Sequence, residues 1–240
     1  MMNFIRFYFA VHSFVLIFAG ENYKQYMNDD ISQPIPQGGH RAKDSENSRI
    51  AAIANQLEGL CAVYEAQPRD GSQYVNRLEA EQRVAETLAK AEGFWIPMMD
   101  VFQLGEPGPS GHENDTYVGE TVVYKVNNLL NSGSIVALLR KVVMHNLIFP
   151  DTAYSFYGFA GFDGRTVQPV IIQPRIAEAR PATRIMIETY MAALGFEKTA
   201  EEGRFRNERY EVWDLLPRNV LVDAEGDIFV IDAEIKELFS

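Results

Sequence analysis

The chain has 240 residues, of which 47% are hydrophobic and 12% are aromatic, and its formal net charge is −11 at pH 7. This composition supplies a folded core and excludes disorder over the whole chain. Acidic residues outnumber basic residues by 33 to 22, whereas binding to a nucleic-acid backbone requires a basic surface, so nucleic acid is not an expected partner. Cys61 is the single cysteine, which excludes an intrachain disulfide and a cysteine-based zinc site, and its apolar neighbours predict that it is buried.

The N-terminal segment contains an apolar run from Phe7 to Phe18 behind one basic residue, Arg6. The run is shorter than the ~20 residues that span a bilayer, and it is similar to the apolar part of a secretory signal with a poor cleavage site. Two alternatives stay open, namely a buried strand or helix of the domain and a true start at Met27. We expect a cytoplasmic protein, with secretion as the minority alternative, and contact with a membrane only if the apolar segment is retained.

Polar residues, proline and glycine dominate from Glu21 to Asn47 and predict a linker. Apolar residues at helical spacing follow from Ser48 to Gln67 and again from Tyr74 to Glu92, where Gly93 would end the second helix as a C-cap. These two helices are expected either to pack on the main domain or to form an interaction arm. The predicted division is an apolar leader and polar linker (1–47), a helical N-terminal extension (48–93) and the main domain (94–240).

Period-two alternation replaces the helical spacing after Leu104, and the mixture predicts an α+β fold for the main domain. The segment "NDTYVGETVVYKVNN" predicts two strands joined by a turn at Gly119–Glu120. The other predicted elements are a helix from Asn131 to Asn146, two strands joined at Asp163–Gly164, a helix from about Ala182 to Leu194, a strand-rich segment from Arg204 to Leu215 and a hairpin that turns at Glu225–Gly226.

The stretch "YEVWDLLPRNVLVDAEGDIFVID" carries Asp214, Asn219 and Asp232 around the last of these hairpins. Carboxylate and amide oxygens are the ligands that Mg²⁺ prefers, so the pattern indicates a site for a hard cation. Asp214 and Asn219 have an alternative interpretation as turn residues. Asp232 ends a strand that we expect to be buried, where an unpaired carboxylate is costly, and a metal or a cationic partner would explain it.

Four motifs occur in one order along the chain, namely the glycine-bearing "GEPGPSGHENDTYV", the strand "VVYK", the loop "DLLPRN" and the strand end "VID". In this order they resemble the protein-kinase and aminoglycoside-phosphotransferase superfamily. More narrowly, these segments together with "HNLIFPDTAY" and "VQPVIIQP" look like the kinase domain found in polyvalent proteins of phages and conjugative elements, from Phe94 to Ile235. The resemblance implies a minimal protein-kinase-like fold, with an antiparallel-sheet N-lobe and a reduced C-lobe, preceded by the two N-terminal helices.

The resemblance also implies a function, which is the ATP- and Mg²⁺-dependent transfer of a γ-phosphoryl group to an unidentified hydroxyl, in a protein encoded by a phage or mobile element. Lys125 would contact the phosphates, and Asp214 would accept the proton of the attacking hydroxyl or orient that hydroxyl. Asn219 and Asp232 would hold Mg²⁺. The alternative interpretation of Lys125 is a solvated residue at a sheet edge.

The remaining nucleotide contacts are implied in the same way. The backbone of the loop glycines, Gly105, Gly108 and Gly111, would approach phosphate, and the backbone around Gln173 to Arg175 would pair with adenine. Glu113 would lie beside phosphate or metal, and its alternative interpretation is a residue at a loop tip.

The chain departs from the kinase pattern in its motifs. H-R-D is replaced by Val212-Trp213-Asp214, and D-F-G is replaced by Asp232-Ala233-Glu234. No Asp or Glu occurs from Thr121 to Pro150, so the helix after Lys125 cannot supply the usual glutamate partner. The expected substitute is Glu113, or one of Glu79, Glu81 and Glu86 from the preceding helix.

The sequence ends shortly after Asp232 without an activation segment, which predicts a minimal kinase fold or a truncated large lobe and does not favour ordinary protein substrates. Two functions are weighed. Retention of Lys125, Asp214, Asn219 and Asp232 favours a phosphotransferase. The missing glutamate and activation segment favour a pseudokinase-like nucleotide-binding or protein-interaction module whose N-terminal helices engage a partner. A third function, small-molecule phosphorylation, would need a substrate pocket from further helices.

Overall fold

A computed structural model describes residues 39–66, 76–164 and 166–238, and the predicted apolar leader lies outside them. The fold is α+β, as predicted. The helices are α1 (Gly39–Glu65), α2 (Arg77–Glu92), α3 (Met98–Val101), α4 (Ile135–Ile148) and α5 (Arg184–Ala193), with a 3₁₀ turn at Pro150–Thr152. The strands are β1 (Trp95–Pro97), β2 (Glu106–Pro107), β3 (Asn114–Val118), β4 (Val122–Asn127), β5 (Ser155–Gly161), β6 (Val167–Pro174), β7 (Arg180–Pro181), β8 (Glu197–Lys198), β9 (Phe205–Arg206), β10 (Tyr210–Trp213), β11 (Val220–Val222), β12 (Ile228–Val230) and β13 (Glu234–Glu237).

The largest sheet has six strands in the order β1-β5-β6-β4-β3-β2. Strand β1 pairs parallel with β5, and the other neighbours pair antiparallel. The predicted β3–β4 turn forms at Gly119, whose N–H donates to the carbonyl of Val122 at 2.9 Å. Strand β4 is central, and Lys125 faces Thr116 of β3 and Ile171 of β6. Because β4 is paired on both sides, the interpretation of Lys125 as a solvated edge residue is wrong.

Two smaller sheets form from residues 180–238, with strand orders β13-β10-β9-β8 and β12-β11-β7. Strands β11 and β12 make the predicted hairpin, and Gly226 in its turn has a φ of 94°, which non-glycine residues rarely adopt. The sequence pattern did not predict strand β13, which pairs antiparallel with β10. This pairing places Glu234 opposite Trp213, so the segment after Asp232 lies beside the segment before Asp214.

Helix α4 contributes to a core that it shares with α1, α2 and the six-stranded sheet. The fully buried residues of this core include Ile50, Leu57, Leu88, Leu139 and Phe159. Helix α4 begins after Ser134, whose side chain caps it by accepting the N–H of Ala137. Glu81 of α2 adds a second cap, because its two carboxylate oxygens accept the N–H groups of Ile135 at 2.8 Å and Val136 at 3.1 Å. The position of α4 is therefore fixed by α2 as well as by the sheet.

Helix α1 begins at Gly39, so residues 39–47 are helical where the composition predicts a linker. Glu46 Oε1 accepts the N–H of Phe156 at 2.9 Å, and Asn47 Oδ1 accepts the side-chain amide of Asn146 at 2.8 Å. These polar side chains bond to β5 and α4. Tertiary contacts therefore stabilise a helix in a stretch whose local composition does not favour one.

A second core fills the space between the smaller sheets and α5. Its buried residues include Ile187, Met191, Phe205, Val212 and Val220. Met144 and Ile148, near the end of α4, pack against this second core, whereas the beginning of α4 lies in the first. Helix α4 thus joins the two cores.

Cys61 is fully buried in the first core, as predicted, and burial raises the pKa of its thiol to about 12. Within the three described ranges, every helix is too short or too polar to cross a lipid bilayer.

Candidate active site

Lys125 is almost fully buried, with 7% of its surface exposed. Its Nζ donates to the hydroxyl of Tyr154 at 3.1 Å and to the carbonyl of Ile231 at 2.7 Å, and it lies 5.0 Å from the centre of the Tyr154 ring. Burial lowers the pKa of Lys125, and the carboxylate of Asp232 partly opposes this effect. The ammonium group is thus directed toward the segment that carries Asp232.

A short series of hydrogen bonds connects this lysine with Asp214. The carbonyl of Ile231 accepts from Lys125, and the N–H of Ile231 donates to the carbonyl of Asn219 at 2.9 Å. The side-chain amide of Asn219 then donates to the carbonyl and to Oδ2 of Asp214, at 2.8 Å each. Lys125, Asp214, Asn219 and Asp232 are therefore neighbours in the fold, although they lie on or next to strands of three different sheets.

The predicted glutamate partner of Lys125 is absent, because no ion pair among the described residues includes this lysine. The four candidate glutamates have other partners, so the prediction that one of them replaces the helix glutamate is wrong. Glu79 pairs with Arg83, Glu81 caps α4, Glu86 pairs with Lys90 and Glu113 pairs with Lys141.

Asp214 lies between β10 and β11 with a φ of 62°, in the left-handed region that is uncommon for residues other than glycine. Arg218 Nη2 contacts its Oδ1, and Asn219 Nδ2 donates to its Oδ2. Both carboxylate oxygens are therefore held from the same loop. Backbone conformations of this kind are found preferentially at functional sites.

Asn219 and Asp232 keep oxygen atoms available for a cation. The Nδ2 of Asn219 is used by Asp214, whereas its Oδ1 accepts no hydrogen bond from any described residue. The carboxylate of Asp232 likewise accepts none within residues 39–66, 76–164 and 166–238. Asp232 is only partly buried, which differs from the predicted burial.

The fit to Mg²⁺ follows from this donor set. Mg²⁺ takes one or two protein oxygens and completes its shell with water and phosphate oxygens, so Asn219 and Asp232 suit it. In the part of the chain that the structure describes, no group of three or more His, Cys, Asp or Glu side chains is arranged to hold a metal ion by itself.

The glycine-bearing loop joins β2 to β3 and lies close to β3. The N–H of Gly108 donates to the carbonyl of Thr116 at 2.9 Å, and a Cβ at this glycine would meet Thr116 Oγ1 at 2.6 Å. Gly108 is therefore needed for close packing. A Cβ at Gly111 would meet no atom of the described residues within 4 Å, so packing among them does not require this glycine.

Glu113 closes the same loop and is 5% exposed, so it is not a loop-tip residue. Its carbonyl accepts the N–H of Asn128 at 2.9 Å, and its carboxylate accepts from Asn131 at 3.1 Å and from Lys141 at 3.3 Å. The loop thus ends in a residue that is tied to the domain on several sides.

The predicted adenine segment lies at the end of β6. Gln173 is 2% exposed, and its Nε2 donates to the carbonyl of Thr152 at 2.8 Å. The backbone N–H of Arg175 donates to the carbonyl of Thr121 at 2.9 Å. The Arg175 amide is therefore used within the protein, and its side chain bonds to the carbonyl of Gly119.

Three polar residues of the site were missed from the sequence. Tyr154 contacts Lys125, Arg218 contacts Asp214, and Lys141 of α4 pairs with Glu113 and, at 3.1 Å, with Glu234. Helical spacing supplied a signal for Lys141, because it shares a helix face with the buried Leu138 and His145.

A cavity of about 20 Å³ lies against these residues, which is room for a water molecule or a metal ion. Its polar lining consists of Asn114, Asn127, Lys141, His145, Tyr154 and Asp232.

His145 Nε2 lies 3.3 Å from Thr152 Oγ1, and this hydroxyl donates to the carbonyl of Val230 at 2.6 Å, so the imidazole N–H is on Nε2. Its Nδ1 is buried and finds no donor among the described residues. Burial, and then the charge of Lys125, lower the pKa of His145 to about 3.

The arrangement expected of a kinase-like protein comprises a lysine on a central strand, a glycine-bearing loop and a hairpin flanked by Asn219 and Asp232. The family model of serine/threonine/tyrosine kinases found in polyvalent proteins matches residues 78–237, about two thirds of the chain. The chain belongs to this family, which confirms the resemblance of its motifs. The matched region begins in α2, so it includes most of the second helix. Comparison with curated proteins gives no match, and comparison with solved structures gives none.

Proposed function

We propose that this chain is an ATP- and Mg²⁺-dependent phosphotransferase that transfers the γ-phosphoryl group to a hydroxyl acceptor. The observation that carries the proposal is the proximity of Lys125 and Asp214 to two oxygen-bearing side chains, Asn219 and Asp232, that keep their oxygens available. The six-stranded sheet would form the N-lobe and the smaller sheets a reduced C-lobe. The acceptor hydroxyl stays unidentified, with a protein substrate or partner as one candidate, and the chain would be a cytoplasmic protein encoded by a phage or mobile element. The division at residue 94 stays a prediction.

Lys125 would bind a phosphate oxygen with the one ammonium N–H that its two hydrogen bonds leave. The negative charge of the phosphates would raise the pKa of this lysine and favour its charged form. Asn219 and Asp232 would hold Mg²⁺, which when bound neutralises charge on the phosphate oxygens.

Asp214 would accept the proton of the attacking hydroxyl. Arg218 and Asn219 hold its carboxylate in one orientation, which is what a general base requires. The glycine-bearing loop, from Gly108 through Gly111 to Glu113, would cover the phosphates. Adenine would pair with backbone groups near Gln173 and Arg175 other than the Arg175 N–H, because Thr121 already accepts that group.

A pseudokinase-like binding module is the second candidate. Two observations favour it. Among the described residues no glutamate pairs with Lys125, and the ion pair of Arg218 with Asp214 would have to admit the acceptor hydroxyl. Such a module would bind nucleotide without transferring phosphate.

The two candidates are separated by measuring binding and transfer in the same variants. Isothermal titration with ATP is expected to show binding that depends on Mg²⁺. The substitution Asp214→Ala is expected to leave this binding intact and to lower autophosphorylation about a hundredfold or more, because a positioned general base contributes that much.

A matched control is Asp227→Ala, which removes an exposed carboxylate from the turn of the same hairpin and is expected to change neither result. Absent or metal-independent binding by the wild-type chain would contradict the phosphotransferase. Binding without any transfer would favour the pseudokinase-like module.

A further inference from the structure

Lys141 of α4 meets carboxylates from two other parts of the chain. Its Nζ lies 3.3 Å from Glu113 Oε2 and 3.1 Å from Glu234 Oε1. The exposed side-chain fractions are 14% for the lysine, 6% for Glu113 and 21% for Glu234, so the cluster is largely shielded from water. Asn131 Nδ2 also bridges the two carboxylates, at 3.1 Å and 3.4 Å.

Each of the three segments carries part of the proposed site. Glu113 closes the glycine-bearing loop, and Glu234 is the first residue of β13, directly after Asp232-Ala233. Helix α4 is itself fixed at its beginning by the cap from Glu81. Lys141 is therefore the cation through which a rigid helix holds both the loop and the segment of Asp232.

The electrostatics of the cluster make this cation necessary. Burial alone would lower the pKa of Lys141, but the carboxylates of Glu113 and Glu234 outweigh burial and raise it. Without the lysine, two shielded carboxylates would face each other across Asn131, and breaking a buried pair in this way is strongly destabilising.

We propose that Lys141 is the positioning residue of this site, through which α4 holds the glycine-bearing loop and the segment after Asp232 in place. In this arrangement the helix supplies the cation, while the loop and the segment after Asp232 supply the carboxylates. Lys125 is held separately, by Tyr154 and the carbonyl of Ile231. The effect on nucleotide affinity rests on the proposed function, whereas the coupling of the two segments does not.

The coupling is tested in the nucleotide-free protein by amide hydrogen exchange. The substitution Lys141→Met is expected to accelerate exchange both in residues 105–118 and in residues 231–238, because each segment loses its contact with α4. Arg140→Met is the matched control, since it removes the neighbouring cation of the same helix from an exposed pair with Glu58. The control is expected to change exchange in neither segment. Unchanged exchange in both segments of Lys141→Met would overturn the proposal.

Nucleotide titration tests the consequence for the site. Lys141→Met is expected to weaken Mg²⁺-dependent ATP binding about tenfold. Lys141→Arg keeps the positive charge and is expected to restore most of the affinity, and Arg140→Met is expected to leave it unchanged. Equal affinities of Lys141→Met and Lys141→Arg would overturn a positioning role.

The double variant Lys141→Met with Glu234→Gln removes one of the two repelling carboxylates and is expected to recover part of the lost protection. If Lys141→Met does not fold, the double variant is measured in its place. Hydrogen exchange in the double variant that equals the wild-type exchange in both segments would count against the proposal. If wild-type protein bound no nucleotide, the phosphotransferase would be contradicted, and the exchange measurements would still decide the role of Lys141.

Discussion

The two sides of the site differ in how they use their polar groups. On the sheet side, Lys125, Tyr154 and Gln173 are almost fully buried and bond to one another or to nearby carbonyls. On the hairpin side, the Nδ2 of Asn219 donates to Asp214 and the backbone N–H of Asp232 donates to the carbonyl of Asn219. The side-chain oxygens Asn219 Oδ1 and Asp232 Oδ accept no hydrogen bond from a described residue.

This difference indicates which side a ligand contacts first. A group that is already hydrogen-bonded gains little from a new partner, because one bond replaces another. A carboxylate that accepts no hydrogen bond gains more binding free energy from a cation, because the cation supplies the positive charge that neighbouring residues do not. The hairpin side is therefore expected to govern metal-dependent binding, and the sheet side to tune it.

The largest effect is expected at Asp232. The substitution Asp232→Asn should weaken Mg²⁺-dependent ATP binding on the order of a hundredfold or more, because it removes the anionic ligand while keeping the shape of the side chain. Isothermal titration at fixed ATP and increasing Mg²⁺ measures this loss. Asp227→Asn, in the exposed turn of the same hairpin, is the control. Equal affinity of Asp232→Asn and wild type would show that Asp232 does not hold the metal.

The sequence predicted the β11–β12 hairpin itself, because its signal is local. Asp214 and Asn219 share one loop, and the turn that returns the chain to Asp232 contains Gly226. The alternation around Lys125 likewise predicted a strand. The central position of that strand and the tilt of its lysine toward Ile231 depend on pairing with β6, which no local pattern reveals.

The cluster around Lys141 could not be predicted for the same reason. Its helix face was visible in the spacing from Leu138, but its partners Glu113 and Glu234 come from segments far along the chain. Strand β13 has only four residues and forms through its pairing with β10, so periodicity gave no signal for it. The helical part of the predicted linker depends on bonds from Glu46 to β5 and from Asn47 to α4.

A smaller effect is expected at Lys125, and it tests how much the sheet side of the site contributes to nucleotide binding. Lys125→Met should weaken ATP binding about tenfold, since one charge-assisted hydrogen bond to phosphate is lost. Its free energy of unfolding should fall by no more than about 1 kcal/mol, because a buried cation that pairs with no anion among the described residues is replaced by an apolar side chain of similar length. Tyr154 would still donate to the carbonyl of Ile231.

Denaturant unfolding and isothermal titration on the same preparations measure the two quantities for Lys125→Met. Lys198→Met is a suitable control, because that lysine forms an exposed pair with Glu188. A large loss of stability without loss of affinity would mean that Lys125 serves the fold and does not contact the nucleotide.

The effect expected at His145 concerns stability alone, and it appears only as the pH changes. The pKa of this buried imidazole falls from 6.5 to about 3, so between these values the unfolded chain binds one more proton than the folded chain. Its contribution to stability is therefore present above pH 6.5 and is lost as the pH falls toward 3. His145→Gln keeps a donor for Thr152 but does not titrate, so from pH 7 to pH 5 the wild type should lose about 2 kcal/mol more than the variant. Urea unfolding at the two pH values measures this difference. Equal losses of stability in the wild type and in His145→Gln would mean that His145 takes up a proton in the folded protein.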